Sequence, residues 1–245
     1  MIDTMPPRLL PDSVHVWSVP LATGVHELGQ LLSADERERA GRFHQPRDRA
    51  RFVERRRVLR ILVGYYLDID PQAVRFEYGA HGKPRVAAHK EPQRLEFNLS
   101  HSDDVALIAF AWDRAVGVDV ERVRPLPEMD DLARTFFSAH EKKAWLALPE
   151  GERLVAFYHC WTRKEAYLKA TGKGLASRMG EFDVSLAPGE PARLLRVEGD
   201  EAEAARWSLR TVVPADEYTG AVAVKGHGWH LSELRWDEGS QNQGA

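Results

Sequence analysis

The chain has one cysteine, Cys160, in 245 residues, so an internal disulfide is excluded and the fold must rest on its core. Cys160 sits in the apolar stretch "FYHCWTRKEAYL" and reads as a small packing residue, not a nucleophile. Long apolar runs are also missing. Nothing approaches the ~20 residues of a bilayer-spanning helix, and the opening "MIDTMPPRLLPDSV" lacks the basic-then-apolar order of a secretory leader. The expectation is a cytoplasmic protein with no membrane partner. Positive charge is not in excess either: 34 Lys and Arg stand against 37 Asp and Glu, a net charge of −3. Basic segments interleaved with aromatic residues are absent, so nucleic acid is not an expected partner.

What positive charge there is clusters. "RFHQPRDRARFVERRRVLR", residues 42–60, repeats arginine through a helix that turns Phe52, Val58, Leu59, Leu62 and Val63 toward a core. Such a stripe is either a solvated face or a grip for phosphate, whose geometry the planar guanidinium matches. Just ahead of it, Ser33 and Glu36 in "SADERERAGRF" have capping-box spacing and mark a helix start. The same spacing recurs at Ser138 and Glu141 in "SAHEKKAWLAL", and Phe52 and Phe157 lie at equal offsets beyond their capping serines. After each helix pair come short strands: "VRFEYG", "LEFNLS", "VALIAFA" and "AVGVDVE", then "EFDVSL", "ARLLRV", "WSLRTVV", "YTGAVAV" and "WHLSEL". An internal duplication follows, in an α+β chain with helices on one face of each small sheet. The expected subdomains are 1–115 and 116–236, with a polar, disordered tail at 237–245.

Four segments carry chemistry. "VGVDVERVRP" sets Asp119 and Glu121 two apart at the end of an apolar strand, so alternation turns both carboxylates to one side. Like charges on one face call for a cation between them. Magnesium suits, because it prefers hard oxygen ligands and takes only a few carboxylates. Glu165, on the helix "WTRKEAYLKAT", is the natural third, with Lys169 one turn on. In "GAHGKPRV" a turn at Gly82 and Pro84 presents Lys83, and Ser100 and His101 follow the strand "LEFNL", where ligand groups are often aimed. Adjacent Ser and His do not face each other on a strand, which argues against a hydrolytic triad.

The ordered set "HGKPRV", "FNLSHS", "GVDVE", "RTFFSAHE" and "WTRKEAYLKATGKGL" closely resembles the 4′-phosphopantetheinyl transferases of the surfactin-synthetase-activating type. That resemblance implies two similar α+β subdomains in pseudo-two-fold arrangement within one monomeric chain, each a small, mostly antiparallel sheet with packed helices, and an active site in the cleft between them. The implied reaction moves the phosphopantetheine arm of coenzyme A to a serine of an acyl or peptidyl carrier protein and releases adenosine 3′,5′-bisphosphate. By the same resemblance Asp119, Glu121 and Glu165 hold Mg2+, and Glu165 is the candidate general base. Lys169 and His101 meet the charge that develops on phosphate. Lys83, Pro84, Ser100, His101 and Lys169 line the coenzyme A site, and Arg39 serves its 3′-phosphate. Relatives often carry two basic residues ahead of "RF", where this chain has Glu36 and Arg39, leaving Arg51 or Arg37 to supply the second contact. The rival reading, a magnesium-dependent hydrolase of coenzyme A or nucleotide pyrophosphate, would use the same carboxylates and lysines.

Overall fold

The computed structural model describes residues 7–21, 30–79, 82–87, 93–172 and 179–237. The expected tail therefore lies outside the described residues except for Asp237, and so do His81 and the "KGL" that ends the fifth motif.

Strand β1 (Ser13–Pro20) leads to helices α1 (Ala34–Gly41) and α2 (Pro46–Leu67), the hairpin β2 (Phe76–Tyr78) and β3 (Pro84–Val86), and strands β4 (Leu95–Ser102) and β5 (Val105–Trp112). Then come β6 (Val116–Arg122), α3 (Met129–Phe136), α4 (Ala139–Leu146) and α5 (Glu150–Thr171). The hairpin β7 (Phe182–Val184) and β8 (Leu194–Val197) precedes β9 (Trp207–Val212), β10 (Tyr218–Lys225) and β11 (His230–Arg235). The first sheet has the order β11-β1-β5-β4 and the second β6-β10-β9.

These elements stack as helix, sheet, sheet, helix. Along β5, Ile108 and Phe110 join Val58, Leu59, Leu62 and Val63 of α2 in one cluster, while Leu107, Ala109 and Ala111 turn the other way onto Val116, Val118 and Val120 of β6 and Val222 and Val224 of β10. Both faces of the first sheet are thus covered, which is why "VALIAFA" is a continuous apolar run. Ala221 and Ala223 of β10 then meet Ala166, Leu168 and Ala170 of α5. The architecture is α+β with two similar halves. Each half opens with the expected capping box, at Ser33 and Glu36 and again at Ser138 and Glu141.

Both capping glutamates are buried, and each receives a cation from the long helix of its half. Glu36 accepts from Arg56 and Arg60 at 2.6 Å each. Glu141 accepts from Lys164 at 2.7 Å and also from the Val184 amide at 2.8 Å. A buried carboxylate of this kind is tolerated because its lone pairs are all answered.

Three features differ from the sequence expectations. Strand β1 and helix α3 were not anticipated. "WHLSEL", expected with the second half, forms β11 and pairs in parallel with β1 of the first sheet, Ser13 opposite His230 through Ser18 opposite Arg235. The reason is the exposed ladder on the outer edge of β1, which a returning strand satisfies; Trp236 follows onto Trp17 with ring centroids 6.3 Å apart. Trp161 packs within its own half, against Phe136 and Phe157.

Candidate active site

The site forms where β4 of one sheet runs alongside β6 of the other. On β4 the apolar Leu95 and Phe97 face α2, while Asn98, Ser100 and Ser102 alternate onto the opposite face. Those three side chains bridge to β6 in place of a backbone ladder. The Val118 amide donates to Asn98 Oδ1 (2.9 Å). Ser100 Oγ donates to Asp119 Oδ1 (2.7 Å), and Ser102 Oγ donates to Glu121 Oε2 (2.8 Å) while accepting from the Arg122 amide (3.1 Å). Asp119 and Glu121 alternate with the valines of β6 that face the first sheet, so they turn toward α5 as the spacing predicted.

Helix α5 reaches them because Gly117 has no side chain. A Cβ there would lie 2.1 Å from the Ala166 carbonyl oxygen and 2.4 Å from the Ala170 nitrogen, both backbone atoms. The close crossing puts the Glu165 and Lys169 turn of α5 beside the β6 carboxylates. Lys169 Nζ donates to Asp119 Oδ1 at 2.6 Å and to Ser100 Oγ at 2.9 Å. Its ionic partner is therefore Asp119, not Glu165 one turn away.

Crowding of negative charge shows in the titration of the remaining carboxylates. Burial, then Asp119, pushes Glu121 up to about 6. Burial, then Asp119 and to a smaller degree Glu121, pushes Glu165 up to about 7, with Lys169 opposing. Among the described residues no three His, Cys, Asp or Glu groups are gathered as a metal cage. The donor set nevertheless fits magnesium, which takes one or two carboxylates and completes its shell with water and phosphate. Asp119 Oδ2 is buried and has no hydrogen-bond partner, the kind of oxygen that a hard cation would satisfy.

The expected coenzyme A ligands are placed less uniformly. His101 follows Ser100 at the mouth of the seam. Its pKa is lowered by the surrounding protein mass first, then by Arg55, Lys169 and Arg51. The ring is solvent-exposed, so burial counts for less than the three cations, and the direction rests on them. The three cations therefore favour the neutral imidazole. Lys83 Nζ donates to the carbonyls of Val116 and Ala170, 3.1 Å each; its ammonium ties β6 to the end of α5. Pro84 starts β3 opposite Tyr78. Arg51 forms a fork on Asp104 at 2.8 and 3.1 Å, and Arg37 donates to the Leu32 carbonyl. Arg39 lines a cavity of about 540 Å³ with Asp35, Glu38, Arg42, Phe43 and Tyr78.

Sequence reasoning passed over Ser102, although the alternation of "LEFNLSHS" put it on the face of Asn98 and Ser100. It also passed over Arg55, one arginine among many.

Two family models match the chain: "4′-phosphopantetheinyl transferase, N-terminal" over residues 16–112 and "4′-phosphopantetheinyl transferase superfamily" over residues 115–223. The chain is 41% identical over 229 residues to the 4′-phosphopantetheinyl transferase HetI of Nostoc sp., covering 91% of this chain and 93% of that protein. It is 30% identical over 156 residues to the 4′-phosphopantetheinyl transferase Sfp of Bacillus subtilis, 64% of this chain and 67% of the relative. With the L-aminoadipate-semialdehyde dehydrogenase-phosphopantetheinyl transferase of Pongo abelii the identity is 27% over 210 residues, 79% and 67% of the two chains. The seam between β4, β6 and α5 is built by an enzyme chain that belongs to the 4′-phosphopantetheinyl transferase superfamily.

Proposed function

We propose that this enzyme transfers the phosphopantetheine arm of coenzyme A to a serine of an acyl or peptidyl carrier protein, with Mg2+ and with release of adenosine 3′,5′-bisphosphate. Family membership supports phosphopantetheinyl transfer as the reaction class. The single structural observation that carries the finer reading is Lys169 held 2.6 Å from Asp119 in a seam that also crowds Glu121 and Glu165.

Asp119 and Glu121, with Glu165, would hold Mg2+, which when bound supplies positive charge to the pyrophosphate. Lys169 is the chain's own cation at the same place. Positioned by Ser100, it can follow the negative charge that collects on the leaving phosphate. The carrier serine oxygen forms a bond to the phosphorus that bears the pantetheine arm. The bond from that phosphorus to the bridging oxygen breaks, and the electron pair leaves with adenosine 3′,5′-bisphosphate. The serine proton passes to Glu165, which bound Mg2+ would keep ionised and so able to accept it. His101 donates a hydrogen bond to phosphate.

Intact mass of an apo carrier protein, incubated with the enzyme, coenzyme A and Mg2+, tests the reading. Arm transfer adds phosphopantetheine to the carrier and should be lost in Glu165→Ala. Free phosphopantetheine from wild type with an unmodified carrier would instead establish the hydrolase.

A further inference from the structure

The two carboxylates of β6 are held alike. Ser100 Oγ donates to Asp119 Oδ1, and Lys169 Nζ donates to the same oxygen. Ser102 Oγ donates to Glu121 Oε2. One oxygen of each carboxylate is thus occupied and the other is left over. Asp119 Oδ2 is buried with no hydrogen-bond partner, and among the described residues no donor reaches Glu121 Oε1.

The serines themselves cannot turn away. A hydroxyl has a single proton to give. Ser100 Oγ accepts from Lys169 Nζ at 2.9 Å, and Ser102 Oγ accepts from the Arg122 amide at 3.1 Å, so each proton is aimed at its carboxylate. Both serines ride on β4, which is laddered to β5 from Leu95 opposite Trp112 to Ser102 opposite Val105. The orientation of each carboxylate is therefore set from the first sheet, not from β6 alone.

Magnesium demands near-octahedral geometry, and the two oxygens of one carboxylate lie too close together to fill two of its positions well. Calcium accepts more oxygens and takes a carboxylate by one of them or by both. A carboxylate with one oxygen engaged by a donor offers a metal the other. We propose that Ser102 is a positioning residue that restricts Glu121 to one metal-facing oxygen and thereby selects Mg2+ over Ca2+, as Ser100 and Lys169 do for Asp119. The assignment rests on Mg2+ being the ion of this site. Ser102 isolates the effect: among the described residues its hydroxyl meets Glu121 and the Arg122 amide alone, whereas Ser100 also meets Lys169.

Calorimetric titration of the full chain, saturated with coenzyme A and without carrier, with Mg2+ and with Ca2+ reads the selectivity apart from turnover. Wild type should favour Mg2+. Loss of an outer hydrogen-bond partner typically lowers metal affinity by about 10- to 100-fold, so Ser102→Ala should weaken Mg2+ by about tenfold or more. Ca2+ should lose much less, because the freed Oε2 can join Oε1 on the larger ion. Ser102→Thr keeps the hydroxyl and should keep the wild-type ratio of the two affinities, and a cooperative melt of both variants reports an intact fold. Equal losses for both ions in Ser102→Ala would overturn the assignment. So would a ratio unchanged from wild type, a ratio lost alike in Ser102→Thr, or a wild-type chain that favours Ca2+. A wild-type chain that binds neither ion and modifies no carrier overturns the functional reading itself. Mg2+ binding and carrier modification by wild type, beside an unaltered ratio in Ser102→Ala, overturn only the role of Ser102.

Discussion

Glu165 titrates near 7 in the folded chain, against an ordinary value of 4.5, because burial and then Asp119 disfavour its charged form. A carboxyl whose folded-state pKa is raised stabilises the fold fully below its unfolded value, and that contribution disappears as pH climbs through the folded value. Replacing Glu165 by Gln removes the titration and keeps the shape. In magnesium-free buffer the stability of wild type relative to Glu165→Gln should therefore decline between pH 5 and pH 8, by about 1–3 kcal/mol after allowance for partial exposure. Histidines that titrate over the same range are common to both proteins and cancel in the difference. Added Mg2+ should shrink the decline, since a nearby cation favours the ionised carboxylate. Chemical denaturation of both proteins at several pH values measures it, and a difference independent of pH would show that Glu165 is not crowded by the β6 carboxylates.

Helix α5 lies close on β6 over Gly117. Adding one methyl group in Gly117→Ala must push back the Ala166 and Ala170 backbone, and a rigid helix yields only as a body. Overpacking of this sort costs roughly 1–3 kcal/mol. The larger effect should be on activity, because Glu165 and Lys169 ride on the displaced turn and a misplacement of about 1 Å can lower a rate by about 10²-fold. The expected result is a folded variant with a modest loss of melting temperature and a turnover defect far out of proportion to it. Turnover within twofold of wild type would mean that the crossing is not what positions these side chains. The "VGVDVE" motif thus holds Asp119, Glu121 and the glycine that admits α5 beside them within five positions, 117 to 121.

Across the whole molecule, the second half of the chain is fastened to the first by its last strand. β11 covers the edge of β1, and Trp236 is buried against Trp17 in the cluster beneath α2. Trp236→Ala should cost about 3–5 kcal/mol by emptying that place. The loss should appear in a single cooperative unfolding transition, because the cavity opens in the first half while the strand is supplied by the second. Two separated transitions in urea, with only one shifted, would show that the halves unfold independently.

The sequence by itself determined the duplication, most of the strands, and the residues around which the site is built. Capping boxes, alternation and apolar runs are local patterns, and the positions of Asp119, Glu121, Glu165 and Lys169 follow from motifs that keep their order along the chain. Tertiary structure alone decided the partners. Lys169 reaches Asp119 instead of its helical neighbour Glu165 because Gly117 lets α5 lie on β6. Lys83 closes the seam because two carbonyls from distant elements converge on it. Most arginines of α2 proved structural because Glu36 and Asp104 fold back onto them and Glu54 lies one turn from Arg57. Nor could strand pattern assign β11 to a sheet: periodicity says which way a side chain points, whereas pairing depends on which edge remains open once every other strand is in place.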